Sequence, residues 1–275
     1  RKPDPMTTPK PKMRVFFACT ATLAAALAIA PAWAAEPAFA TAPAKGTVSA
    51  VRLLSAGPLE GGAYRAGVEI SLAPKTATYW RQPGEAGSPP VFDFSKSINV
   101  AKVETAFPAP KHLDEAGTIV AGYDETVIFP LKVTPKDPKA PVTLALDLDY
   151  AACGKICLPA KSELSLALPQ SGASPFASAI NAAEKRVPVK ISGAEAAKRL
   201  SLKKDGESWR LNVTGPGKVQ DVFAEVPEPL FIESKREGAD FALALFSSGP
   251  KPKSANATLT IITEREAFEA PAHLE

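Results

Sequence analysis

The chain between Val142 and Leu168 reads VTLALDLDYAACGKICLPAKSELSLAL. On both sides of its two cysteines, apolar residues alternate with polar or small ones, which is the period of a β-strand with one buried face. Cys153 and Cys157 lie between the two alternating runs. This stretch therefore predicts a β-hairpin with the cysteine pair at its tip.

Similar alternation precedes the hairpin. It is clearest in the run YRAGVEISL at 64–72, and weaker runs lie at 77–82, 98–106 and 125–133. Between them lie turn-rich stretches such as QPGEAGSPP at 82–90, whose prolines and glycines prevent a strand or a helix from continuing. About seven short strands at this spacing predict a β-sandwich.

Helical signals follow the hairpin. Ser174 is placed as a helix cap and Pro175 as the first helical residue, and an alanine-rich segment then runs to about Arg186. A second short helix is predicted from 192 to 200. Together these signals indicate that residues 171–204 are a partly helical linker.

Strand-like runs resume beyond residue 205, at 208–213, 219–226, 240–246 and 257–263. They are too few and too short for a large core, but they are adequate for a small domain. The predicted fold class is therefore all-β, with a sandwich over 45–170 and a second, smaller β domain over 205–270.

The first 34 residues have the pattern of an export signal. Five basic residues precede an uncharged run from 15 to 30, which ends near Ala-Trp-Ala at 32–34. The run is about 16 residues long, whereas a membrane-spanning helix needs roughly 20 apolar residues. We therefore predict a cleaved signal peptide at 1–34 and a periplasmic protein.

Cleavage changes the charge of the chain. Residues 1–34 hold five basic residues and one acidic residue, so their loss takes the net charge from +3 to −1. A nearly neutral protein gives no reason to expect nucleic acid or an anionic membrane surface as a partner. No second long apolar run follows, so no direct membrane span is expected.

Once Cys19 has left with the signal, Cys153 and Cys157 are the only cysteines of the chain, in an oxidising compartment. Four residues of extended chain would separate their Cα atoms by about 13 Å, whereas a disulfide needs them within about 7 Å. The chain must therefore fold back if they bridge, and Gly154 is the residue that can take a positive φ. So small a loop removes little chain entropy, so the bridge should stabilise the fold weakly.

Three interpretations of the pair remain open. The first is thiol–disulfide exchange, in which Lys155 between the cysteines favours the reactive thiolate. The second is a structural disulfide. The third is a Cu(I) site with His112 as a third ligand, because thiolates suit soft metals. Four-ligand structural zinc is excluded by the number of ligands, and no phosphate-binding loop or hydrolase nucleophile motif is present.

Three motifs of the chain resemble those of a known family: Tyr79-Trp80-Arg81-x-Pro83-Gly84, Phe107-Pro108-x-Pro110 and Tyr150-x-x-Cys153-x-x-x-Cys157-x-Pro159. Over roughly residues 45–170, the chain resembles the amino-terminal periplasmic domain of DsbD-type thiol:disulfide interchange proteins. The closer resemblance is to the variant found in ScsB-like proteins of the suppressor-of-copper-sensitivity group.

The resemblance implies an immunoglobulin-like domain that takes electrons from a thioredoxin-like domain and passes them to periplasmic thiol proteins. Cys153 and Cys157 match the redox pair of the family, so the redox-active disulfide is the only cofactor that is implied. The membrane conduit and the thioredoxin-like domain of full-length members do not follow in this sequence. We therefore expect thioredoxin-like partners and a membrane thiol reductase supplied in trans.

Two further features of the family bear on this chain. In the better-known DsbD form, five residues rather than three separate the cysteines, and a short aromatic and acidic cap loop shields them. No residue-by-residue match to that loop is found here, and the segment from Pro108 to Tyr123 is the candidate for its role. In ScsB-like proteins a second immunoglobulin-like unit follows, which agrees with the predicted β domain at 205–270.

A few further residues are candidates to support the cysteines. Tyr79, Trp80 and Tyr150 are candidate walls of the dithiol site, although aromatic residues on strands more often belong to the core. Arg81 is interpreted as architectural. Tyr150 and Lys155 have the best case because they lie near the cysteines in sequence, and they are predicted as the supporting residues.

Overall fold

Strands make up most of the chain. The computed structural model describes residues 38–115, 117–250 and 252–275, and within them it contains nineteen strands and two short helices. The all-β prediction is therefore confirmed, whereas the predicted signal peptide at 1–34 lies outside the described residues. No helix in the described part of the chain has both the length and the apolar character needed to cross a bilayer.

The first β region contains eleven strands: β1 Ala44–Lys45, β2 Ser49–Ser55, β3 Tyr64–Leu72, β4 Thr78–Tyr79, β5 Val91–Asp93, β6 Val100–Thr105, β7 Lys111–Glu115, β8 Thr118–Tyr123, β9 Val127–Pro135, β10 Thr143–Cys153 and β11 Cys157–Ala167. They form a five-stranded sheet of order β1-β2-β3-β9-β6 and two three-stranded sheets, β11-β10-β5 and β4-β8-β7. We call the sheet β4-β8-β7 the small sheet.

The core of this region follows from the alternation in the sequence. Every second residue of β3 from Tyr64 to Ile70 is buried, and Leu144, Leu146 and Leu148 of β10 are buried in the same cluster. Full burial of such a side chain contributes about 1.5–3 kcal/mol, so a few of these residues hold the sheets face to face. The immunoglobulin-like sandwich predicted from the motifs is confirmed.

The predicted hairpin is also confirmed. β10 and β11 pair antiparallel without a shift in register, from Thr143 opposite Ala167 to Cys153 opposite Cys157. The alternation of side chains along β10 has period two, so residues at an odd separation lie on opposite faces of this hairpin. That rule decides which neighbours of the cysteines can reach the sulfur atoms.

The second β region follows helix α1 Ala177–Lys185 and comprises β12 Val189–Lys190, α2 Gly193–Arg199, β13 Leu200–Asp205, β14 Ser208–Val213, β15 Val219–Glu225, β16 Leu230–Glu237, β17 Asp240–Ser247, β18 Ala255–Thr263 and β19 Ala267–Leu274. Two four-stranded sheets, β12-β19-β18-β15 and β13-β14-β17-β16, enclose a separate core cluster that includes Trp209, Leu243 and Phe268.

The first helix begins later than predicted. Helix α1 begins at Ala177, and the Ser174 hydroxyl does not cap it but accepts from Phe176 N and donates to the Ser55 carbonyl. Ser174 therefore ties the chain after the hairpin back to β2. Helix α2 agrees with its prediction, because the Ser192 side chain accepts from Glu195 N as an N-cap.

Three strands of the second region carry no clear pattern in the sequence. β13 and β16 are the edge strands of their sheet and are rich in charged residues, so their alternation is weak. β13 lies, except for its last residue, within the stretch 171–204 that was predicted as a linker. β19 contains Pro271, which is tolerated because β12 pairs only with Phe268 and Glu269 and leaves the rest of that side unpaired.

Candidate functional site

Cys153 and Cys157 are joined by a disulfide at the tip of the β10–β11 hairpin. Their Cα atoms are 3.9 Å apart, because the two residues are directly opposite each other in the register. The turn between them contains a hydrogen bond from Gly154 N to the Ile156 carbonyl at 3.2 Å. The expected positive φ at Gly154 is wrong, since Gly154 is not among the residues with positive φ.

The two cysteines differ in exposure. Cys153 is 4% exposed and packs in a small cluster with Tyr79, Val120 and Ala151. Cys157 is exposed. A partner thiolate attacks a disulfide along a path that must reach the sulfur, so access favours Cys157.

The first strand of the small sheet is held directly beside Cys153. Ala77 N donates to the Cys153 carbonyl at 2.7 Å, and Cys153 N donates to the Ala77 carbonyl at 2.8 Å. One residue further on, the Thr78 hydroxyl donates to the Ala151 carbonyl at 2.9 Å. These bonds place the next residue, Tyr79, against the sulfur atoms.

The Tyr79 hydroxyl contacts both cysteines. It lies 2.8 Å from Cys153 Sγ and 3.4 Å from Cys157 Sγ, and it donates to Glu115 Oε2 at 2.7 Å. Burial raises the pKa of Tyr79 well above its ordinary value, and the hydrogen bond and charge of Glu115 raise it further. The hydroxyl therefore keeps its single proton, which it donates to Glu115 in the disulfide state. When a thiolate forms on Cys153, the same proton can turn to that sulfur, which lies 2.8 Å from the hydroxyl oxygen.

Two glycines make room for Tyr79. A Cβ at Gly87 would lie 2.6 Å from the Tyr79 ring, and Gly87 has a φ of +99° that side chains rarely adopt. A Cβ at Gly122 of β8 would lie 2.4 Å from the Thr78 carbonyl oxygen. A side chain at Gly87 would therefore displace the Tyr79 ring, and one at Gly122 would displace the backbone of Thr78, the residue that precedes Tyr79.

Glu115, the last residue of β7, completes the group. Its Oε1 is buried without a hydrogen-bond partner, and one of its carboxylate oxygens and the two Sγ atoms all lie within 4.8 Å of one another. A carboxylate oxygen in that position can accept or deliver a proton at the sulfur atoms. Glu115 lies in the segment from Pro108 to Tyr123, which the sequence indicated as the candidate cap.

The predicted supporting residues do not meet the sulfurs in this way. Tyr150 belongs to the core of the sandwich, and its hydroxyl is 2.7 Å from Ser49 Oγ. The reason is the alternation of β10, because Tyr150 is three residues from Cys153 and so lies on the opposite face. Lys155 is exposed in the turn.

The other candidates lie between the two β regions. His112 Nδ1 is 2.9 Å from Asp221 Oδ1, and His112 is not part of the group formed by Glu115 and the cysteines. Trp80 is buried in the core, and Arg81 forms ion pairs with Glu225 and Glu269.

Tyr79 was weighed as a wall of the site, but Glu115 was not singled out in the sequence. Its spacing from the cysteines carries no signal, since it is 38 positions before Cys153 and the contact depends on how two sheets meet. The only available signal was its position inside the segment proposed as a cap.

Comparisons with known proteins bear on the family and the fold. Residues 49–169 match the family model described as "Thiol:disulfide interchange protein DsbD, N-terminal", which confirms the resemblance inferred from the motifs. The fold is similar to the crystal structure of the N-terminal periplasmic domain of ScsB from Proteus mirabilis, with a TM-score of 0.65 and 18% identity. The similarity covers 86% of this chain and 98% of that chain, so it extends beyond residues 49–169. No curated protein matches the chain in sequence.

Proposed function

From the match of residues 49–169 to the amino-terminal domain of DsbD-type thiol:disulfide interchange proteins, we propose that this chain performs thiol–disulfide exchange in the periplasm through Cys153 and Cys157. It relays electrons between a thioredoxin-like or membrane reductase partner and periplasmic thiol proteins. One observation carries the proposal: a disulfide with one buried and one exposed cysteine lies against a protonated tyrosine and a carboxylate.

The exchange chemistry follows from this asymmetry. A partner thiolate attacks Cys157 Sγ, the bond between the two sulfurs breaks, and its electron pair leaves on Cys153 Sγ as a thiolate. A second partner thiolate then attacks the partner sulfur of the mixed disulfide and frees Cys157. The chain gains two electrons and the partner is oxidised to a disulfide. The reverse sequence reduces a partner.

Tyr79 and Glu115 support the thiolate at Cys153. A thiolate that forms on a buried sulfur is costly unless a donor stabilises it, and the Tyr79 hydroxyl lies 2.8 Å from that sulfur. Glu115 can take up the proton that the second partner thiol loses as it becomes a thiolate and pass it to Cys153 Sγ, and the proton returns by the same route on reoxidation. These roles replace the support that the sequence assigned to Tyr150.

The exposed turn offers a docking point for the partner. Ile156 is 71% exposed between the cysteines, next to Cys157. An exposed apolar side chain beside a reactive sulfur suits the apolar surface around the active-site cysteine of a thioredoxin-like protein. Partners of this class bring a dithiol, as the two-step exchange requires.

Trapping of mixed disulfides tests the proposal. In Cys153→Ser, Cys157 lacks its resolving thiol, so mixed disulfides with thioredoxin-like proteins should accumulate in periplasmic extracts on non-reducing gels. Cys157→Ser keeps only the buried sulfur and should trap several-fold less. If neither variant traps a partner, the exchange proposal is wrong.

A reduction potential separates exchange from an inert structural bridge. We expect a value above about −300 mV in equilibrium with glutathione or a thioredoxin, because structural bridges lie below that value. A lower value would support the structural interpretation of the pair.

Metal binding by the reduced pair is the second candidate. Cys153, Cys157 and Glu115 bring two sulfurs and one carboxylate within 4.8 Å, which favours Glu115 over His112 as the third ligand. Two thiolates suit Cu(I), whereas the added carboxylate suits Zn²⁺. Anaerobic titration of the reduced protein with each ion should show stoichiometric binding that the double Cys→Ser variant loses. Glu115→Gln should weaken Zn²⁺ more than Cu(I), and no binding of either ion excludes this candidate.

A further inference from the structure

The small sheet has little structure of its own to hold it in place. β4 contains two residues, and it pairs with β8 through Thr78 opposite Tyr123 and Tyr79 opposite Gly122, with one further backbone bond from Trp80 N to the Ala121 carbonyl at 3.0 Å. β7 is the outer strand, and Glu115 is its last residue. Sheets of a few short strands are marginal without packing against other elements. The positions of Tyr79 and Glu115 therefore depend on what holds β4 and β7.

β4 is held from the second β region as well as by the bonds of Ala77 and Thr78 to the hairpin. Arg81 lies two residues after Tyr79, and its guanidinium donates to both carboxylate oxygens of Glu225 at 2.7 and 2.6 Å and to Glu269 Oε1 at 2.5 Å. The next residue, Gln82, exchanges two hydrogen bonds of 2.8 Å with the backbone of Val226. A bidentate arginine–carboxylate pair fixes direction as well as distance.

β7 is held by the same strand of the second region. His112 lies three residues before Glu115, and its Nδ1 is 2.9 and 3.0 Å from the two carboxylate oxygens of Asp221 in β15. The His112 ring stacks on Phe223 with centroids 4.2 Å apart. Phe223 also contacts Trp80, and the centroids of these two rings are 5.8 Å apart. Phe223 is thereby buried in the core cluster of the first region.

The two anchors have a common consequence. β15 and its neighbour β19 contact Arg81, two residues after Tyr79. β15 also contacts His112, three residues before Glu115. We infer that the second β region positions Tyr79 and Glu115 at the sulfurs, with Asp221, Glu225 and Glu269 as positioning residues for exchange. This inference rests on the proposed function, and it assigns a role to the second region.

A double-mutant cycle tests the inference through reduction of the full-length disulfide by dithiothreitol. In the wild-type background, Tyr79→Phe should slow reduction roughly tenfold, because it removes the hydrogen bond to the leaving thiolate. Asp221→Ala with Glu225→Ala should itself slow reduction roughly tenfold. In that background Tyr79→Phe should change the rate less than twofold. A loss of the Tyr79 effect distinguishes positioning from a general loss of stability.

A full tenfold effect of Tyr79→Phe in both backgrounds would overturn the inference. The matched control is Asp205→Ala, which removes a carboxylate of the second region that pairs with Arg210. It should change neither the rate of reduction of the wild type nor that of Tyr79→Phe. If the double variant does not fold, as judged by circular dichroism, Asp221→Ala and Glu225→Ala are read singly, and each must reduce the Tyr79 effect. Dithiothreitol reports on the site whether or not the chain traps a biological partner, so the two proposals fail separately.

Discussion

Cys153 and Cys157 share one bond but have different surroundings. Cys153 is buried against the Tyr79 hydroxyl, and Cys157 is exposed beside Ile156. We use this difference to propose that Cys157 is the sulfur that a partner attacks and that Cys153 is the leaving sulfur. The closed loop is short, so the bridge contributes little to folding, and its surroundings are better explained by exchange.

Glu115→Gln tests the proton transfer at this scale. Glutamine keeps the shape of the side chain and an oxygen that can accept from Tyr79, but it cannot carry the proton. We expect exchange with a reduced thioredoxin to slow by roughly ten- to a hundredfold, measured by stopped-flow fluorescence. Glu125→Gln is the control, because Glu125 is an exposed acid paired with Lys111. Equal rates for wild type and Glu115→Gln would exclude a proton-transfer role.

At the scale of elements, β4 has only two residues, and backbone contacts with neighbouring strands fix the position of these residues. Ala77 and Cys153 exchange two backbone hydrogen bonds, and Gly122 lets β8 approach Thr78 closely. The run at 77–82 was recognised as strand-like in the sequence, but its position beside the cysteines was not. Strand alternation is a local property, whereas the neighbour of an isolated short strand is decided by the packing of distant segments.

Gly122→Ala tests this element. The new methyl group would lie 2.4 Å from the Thr78 carbonyl oxygen, which is backbone and cannot turn aside. We expect the free energy of unfolding in urea to fall by about 1–3 kcal/mol and the rate of disulfide reduction by dithiothreitol to fall toward that of Tyr79→Phe. Gly193→Ala is the matched control, since its methyl group would meet only Pro271 at 3.9 Å. A Gly122→Ala protein with wild-type stability and rate would contradict this account of β4.

At the scale of the whole molecule, buried tyrosines link stability to alkaline pH. Burial raises the pKa of Tyr79 and Tyr123 above the ordinary value of 10.0. The unfolded chain therefore loses these protons first, so the stability is fully present below about pH 10 and falls above it. The slope should approach about 1.4 kcal/mol per pH unit for each tyrosine.

Urea unfolding at about pH 9 and about pH 11 measures this fall. Tyr79→Phe and Tyr123→Phe should each be less sensitive to alkaline pH than the wild type, because a phenylalanine has no proton to lose. The comparison isolates the tyrosines from the lysines that also titrate in this range. An identical fall in wild type and both variants would show that these tyrosines are not responsible.

The sequence by itself determined the β class, the sandwich, the hairpin and the cysteine pair at its tip. These features follow from the local alternation of apolar and polar residues and from the spacing of the two cysteines, which depend only on neighbours along the chain. The four strand-like runs beyond 205 were also local, although edge strands such as β13 and β16 lacked a pattern because only part of one face is buried.

Only the tertiary structure decided the chemistry around the pair. The contact of Tyr79 with Cys153 joins residues 74 apart, that of Tyr79 with Glu115 residues 36 apart, and that of His112 with Asp221 residues 109 apart. Such contacts arise where sheets meet, and no periodicity along the chain encodes which side chains converge there. The buried sulfur, its tyrosine and carboxylate, and the anchors from the second β region are therefore products of packing.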